Sequence, residues 1–116
     1  MEKHFDAHDE TFFKKLLKHE DYIVRTRAVC ILADISDEKA VDMIGNVLLN
    51  DEDNLVRHEA AIALGVIGSD ESRAILKQAL DDERQEVRES AMVALANLDY
   101  ISFVKRNNKF TKMTGG

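Results

Sequence analysis

A chain of 116 residues is one domain by length, too short for two independent cores unless it is built from repeats. Apolar residues make up 45% and charged residues 33%, with no Trp, two Tyr and five Phe, so the core must be made mostly of Ala, Val, Ile and Leu; with no Pro and only five Gly, a turn-rich β-sandwich is excluded. Sixteen basic against 22 acidic residues give a net charge of −6, which argues against nonspecific binding to nucleic acid or an anionic membrane, since both need clustered Lys and Arg.

The start, MEKHFDAHDE, has neither a basic leader nor an apolar stretch after it, and no run approaches the roughly 18 apolar residues of a membrane span. The lone Cys30 has no second cysteine to pair with in the chain. The expectation is a cytoplasmic protein with no membrane partner.

In chain order, Phe12, Phe13, Leu16 and Leu17 predict a short first helix, and Val24, Ala28, Ile31, Leu32 and Ile35 follow at i, i+4, i+7, i+8 and i+11, the spacing of a second. The pair recurs as Val41, Ile44, Val47 and Leu48 before Val56, Ala60, Ala63, Leu64 and Ile67. It recurs again as Ile75, Leu76, Ala79 and Leu80 before Val87, Ala91 and Leu95. Asp21 and Asp53 are expected to cap the second helix of their units, and Ser36 and Ser69 the first helix of the units that follow.

Three segments align without gaps: LKHEDYIVRTRAVCILADIS from Leu17, LNDEDNLVRHEAAIALGVIG from Leu49 and LDDERQEVRESAMVALANLD from Leu80. Each hairpin has too little apolar surface to fold alone, so stacking must bury the rest. The fold class is therefore all-α, an α-solenoid of about three helical hairpins, with units at about 9–35, 37–67 and 70–99. Tyr100, Ile101, Phe103 and Val104 are expected to fold back as a C-terminal cap over 100–104, closing a solenoid of residues 1–104. Residues 105–116, with Lys105, Arg106, Lys109 and Lys112 and no acid, read as a basic disordered tail. The column arginines Arg25, Arg57 and Arg88 are expected to form a charge ladder between units.

The stretches LVRHEAAIALGVIGSDESRAILKQAL and IVRTRAVCILADISDEKAVDMIGNVL resemble the short HEAT-like repeats described in phycobilin lyases. The resemblance covers about residues 12 to 99. It implies the solenoid fold and leaves function open, because unrelated scaffolds use this repeat.

Turning 100° per residue places Thr26, Val29, His58, Ile62, Glu89, Met92 and Val93 on the side opposite the expected core, the concave face of such a stack. A small apolar surface with a polar edge fits a protein partner of unspecified identity. No Gly-rich phosphate loop, CxxC pair, HExxH or G-x-S-x-G elbow occurs, so no catalytic residue is assigned and no cofactor is required. The expectation is a protein-interaction scaffold rather than an enzyme.

One segment carries chemistry. VRHEAAIALG, with His58 and Glu59, is similar to the His-Glu motif of deoxyhypusine hydroxylases, which are built of these repeats. In that family His-Glu pairs from four repeats hold a di-iron centre. At the matching positions the first unit has Thr26 and Arg27 and the third Glu89 and Ser90, so His58, Glu59 and Glu89 are the candidate metal ligands. The resemblance thus implies an alternative, an iron-binding, deoxyhypusine-hydroxylase-like protein completed by dimerisation. A lyase-like accessory subunit is the other alternative.

Overall fold

The computed structural model describes residues 6–113, with side chains through Asn107. It is a stack of helical hairpins: α1 (Ala7–Leu16) and α2 (Tyr22–Ile35), α3 (Glu38–Asn50) and α4 (Asn54–Ile67), then α5 (Arg73–Ala79) and α6 (Gln85–Met113). No strand occurs among the described residues. The all-α solenoid expected from the repeat is the observed fold.

Helix starts follow aspartates. Asp21 accepts the Ile23 amide and Asp53 the Leu55 amide, as expected. The expectation for Ser36 and Ser69 is corrected. Asp37, not Ser36, caps α3 by accepting the Lys39 amide, while Ser36 ends α2 in the left-handed conformation at φ 55°. Ser69 precedes a short 3₁₀ turn, Asp70–Ser72, with no side-chain cap bond. Gly68 takes the left-handed conformation at φ 72° that ends α4, where glycine has no Cβ to strain.

The core lies between the hairpins. Leu32, Ile44, Leu48, Val56, Leu64, Leu76 and Val87 are fully buried, each worth about 1.5–3 kcal/mol against exposure. The central helix α4 packs on α2, α3 and α6. Ile31 departs from its expected core position and is 49% exposed, whereas the equivalent Ala63 and Ala94 are buried. These two face the preceding second helix of the stack, and α2 has no such neighbour among the described residues.

The third unit ends differently. Asp99 stands where Ser36 and Gly68 take left-handed turns, and α6 runs through it to Met113. Residues 100–104 therefore continue the axis of α6 instead of folding back, although Ile101 does cover Gly68: a Cβ at position 68 would lie 2.5 Å from Ile101 Cδ1. The expected disordered tail is helical through Met113. Residues 1–5 of the expected 1–104 solenoid and 114–116 of that tail lie outside the described residues.

Helices α4 and α6 approach so closely that a Cβ on Gly65 would lie 2.9 Å from both Cα and Cβ of Ala94. Backbone cannot yield as a flexible side chain can, so Gly65→Ala is expected to cost about 1–3 kcal/mol. Urea unfolding should show a lowered midpoint at unchanged slope. Unaltered stability would contradict this close approach.

Candidate functional site

Two kinds of polar residue are placed by the stack: the arginine column within the turns, and His58 at the junction of α4 and α6. Arg25 and Arg57 form the expected ladder between units, whereas Arg88, among the described residues, bonds only the Asp82 carbonyl of its own unit. Arg25 donates from Nε to Asp51 Oδ2 at 2.9 Å and from Nη2 to Oδ1 at 3.2 Å, while its Nη1 donates to the His19 and Glu20 carbonyls. Arg57 repeats this on Asp82 at 2.9 and 3.3 Å, with Nη1 on the Asp51 carbonyl at 2.8 Å. Both side chains are buried, with 6% of each residue exposed, so the bidentate geometry matters to the stack.

His58 sits in the second turn of α4, facing the start of α6. Its Nδ1 lies 3.3 Å from the Glu86 carbonyl and hydrogen-bonds Ser90 Oγ, and Ser90 Oγ lies 2.8 Å from the same carbonyl. Both contacts engage Nδ1, with the donor and acceptor roles set by the imidazole tautomer. In the Nδ1–H tautomer, Nε2 is the nitrogen that can act as a metal ligand.

Glu86, which supplies the carbonyl, is itself fixed. Its carboxylate accepts from Asn54 Nδ2 at 2.5 Å and Arg84 Nε at 3.1 Å. A hydrogen bond from its own backbone N–H, then the Arg84 guanidinium, holds this carboxyl below its ordinary value of 4.5.

The other expected site residues separate into three groups. Thr26 turns its hydroxyl to the Tyr22 carbonyl of its own helix at 2.9 Å, and Glu89 is exposed and accepts from Gln85 Nε2 at 2.7 Å. Ile62 and Val93 are exposed and line a groove of about 480 Å³ between α4 and α6, together with Gly65, Val66, Ala96 and Tyr100. Val29, however, is fully buried and is not a groove residue. Its column, Val29, Ala61 and Met92, faces the following helix of the stack, and only Met92 remains exposed.

A second cavity of about 420 Å³, not foreseen, lies between α1 and α3, with Leu17, Met43 and Val47 in its lining and Glu10, Lys14 and Lys39 ion-paired at 3.1 and 3.6 Å. Its residues come from the first helices of two units, whose alignment is too weak to show that they converge.

The model for HEAT repeats matches residues 10–96. The chain belongs to the HEAT repeat family. It is 39% identical over 79 residues to deoxyhypusine hydroxylase-B of Oryza sativa subsp. japonica, covering 67% of this chain and 26% of that protein. It is 39% identical over 87 residues to deoxyhypusine hydroxylase of Homo sapiens and 37% identical over 87 to that of Mus musculus, each match covering 74% of this chain and 26% of the relative. The HEAT-repeat chain thus spans about a quarter of the length of these curated relatives. These relatives correct the expectation of a pure interaction scaffold: the proteins it resembles are named as an enzyme, which favours the hydroxylase-like alternative.

The donors that the described residues bring together do not make up a metal centre. Glu59 follows His58 in the sequence and is half-buried, and among the described residues no group of three or more His, Cys, Asp or Glu side chains could hold a metal ion. Ser90, one repeat on from Glu59, bonds the imidazole instead of adding a carboxylate. No helix among the described residues is long and apolar enough to cross a membrane.

Because Glu86 is depressed in the folded chain, its contribution is present above its unfolded value and is lost as pH falls through the lowered one. Carboxyl NMR titration should place its midpoint below 4.5, and Arg84→Ala should raise it. A midpoint above 4.5 in the unmodified chain would contradict the assigned contacts.

Proposed function

We propose that this HEAT-repeat chain is a deoxyhypusine-hydroxylase-like, iron-binding protein that contributes one His-Glu pair, His58 and Glu59, to a site completed by a second copy. What carries the reading is the identity to deoxyhypusine hydroxylases over about three quarters of the chain, together with an imidazole already oriented through Nδ1. Two copies with their concave sides opposed would bring together both His58 rings and the carboxylates of Glu59 and Glu89, ligand types that suit iron.

In this arrangement the work of the chain's own residues is to orient donors. Ser90 and the Glu86 carbonyl hold the His58 ring, so that Nε2 needs little reordering when a ligand arrives. Bound iron would supply oxidation chemistry.

Native mass spectrometry after anaerobic Fe²⁺ addition tests the reading. The expected result is an iron-bearing dimer, with His58→Ala losing the metal and Ser90→Ala weakening it roughly 10–100-fold as an outer-shell change. A monomer without bound iron at every concentration tried would overturn the proposal.

A further inference from the structure

The ladder has an unfinished rung. Arg88 stands in the column of Arg25 and Arg57 and, like them, donates Nη1 to a carbonyl six residues back, here Asp82 at 2.7 Å. Its Nε and Nη2 meet no carboxylate among the described residues, because the aspartate that completes each rung comes from the following unit. On the same flank Met92 is 59% exposed, although its column mates Val29 and Ala61 are fully buried by the next helix. Ala96 and Phe103 prolong this exposed stripe at helical spacing, since α6 runs straight on instead of turning across its own flank.

We infer that this flank of α6 docks a HEAT-type hairpin carried by a different polypeptide, one with an aspartate in the turn column to meet Arg88 and a small residue to meet Ala96. The aspartate follows from charge complementarity, as at Arg25–Asp51 and Arg57–Asp82. The small residue follows from the existing junction, where Gly65 and Ala94 leave no room for a longer side chain.

A second copy stacked head to tail lacks both features. Its turn column holds His19, whose Nδ1 accepts the Asp21 amide just as Asp51 and Asp82 accept the amides of Asp53 and Arg84, but which brings no anion. Its Ile31 stands in the column of Ala63 and of Ala94, which makes the close contact with Gly65. The inference rests on the ladder and the packing, independently of the reading given to His58.

A full-length chain carrying His19→Asp and Ile31→Ala acquires both missing features on its own first unit and serves as the probe. Both positions are exposed, so retained helicity by circular dichroism is expected. In chelating buffer, where a metal-dependent dimer cannot form, sedimentation equilibrium should find the unmodified chain monomeric and the double variant associating with rising concentration. Adding Arg88→Ala should weaken that association roughly tenfold or more. His19→Asp alone should associate more weakly, with the same dependence on Arg88. A folded double variant that stays monomeric overturns the inference. So does an unmodified chain that dimerises in chelator and is made monomeric by Met92→Asp, because the face would then belong to a second copy.

Discussion

The buried guanidinium of Arg57 ties three things together: the turn of its own unit through the Asp51 carbonyl, the next unit through Asp82, and the register of α4 against α6. A charge buried to this degree is costly unless it is fully paired, so the bidentate geometry leaves the two hairpins few relative positions. Arg25 imposes the same condition one unit earlier through Asp51. Asp51 and Asp82 each serve twice, accepting the arginine and also the amide two residues on, which shapes the turn before the second helix. Apolar burial supplies most of the driving force, but it is nondirectional; the rungs set which faces meet.

That register positions His58. Its ring reaches Glu86 and Ser90 because α6 is held at a fixed height beside α4, and further links hold the same junction: Asn54 to Glu86, and Asn97 Nδ2 to the Gly65 carbonyl at 2.6 Å. Within the third unit, Arg73 of α5 bridges Asp70 and Asp99 of α6, and these carboxylates raise its own proton affinity. The junction of α4 with α6 is thus held by several side-chain links. It is also where the hydroxylase-like motif resides, which gives a lone His-Glu pair a rigid setting.

The sequence made the solenoid legible because a period of about 31 residues repeats both apolar spacing and charge: Val24, Ala28 and Leu32 recur with Arg25 in every unit. The ladder was readable for the same reason. What escaped was position within a finite stack. Val29 and Met92 share one column, yet one is buried and the other open, since burial depends on whether a next unit follows; Ile31 shows the same effect at the opposite end. Ser36 and Asp37 lie side by side, and only backbone geometry decides that the serine ends one helix while the aspartate begins the next. The anchoring of His58 by Ser90 was hidden in the alignment: the two occupy adjacent columns one unit apart, a diagonal contact that column matching does not display. The continuation of α6 past Asp99 was missed because one substitution at a turn position removes the stop without disturbing the apolar pattern on either side.

The dependence of the stack on its rungs is tested most directly by a double-mutant cycle on Arg57 and Asp82, read by urea unfolding with Arg57→Ala, Asp82→Ala and both together. Each single change should cost about 3–5 kcal/mol, since it leaves a buried charge unpaired. The double should recover part of this, giving a coupling of at least about 1.5 kcal/mol. Single costs that simply add, with a coupling within about 0.5 kcal/mol of zero, would show that apolar packing alone sets the register and would contradict the account.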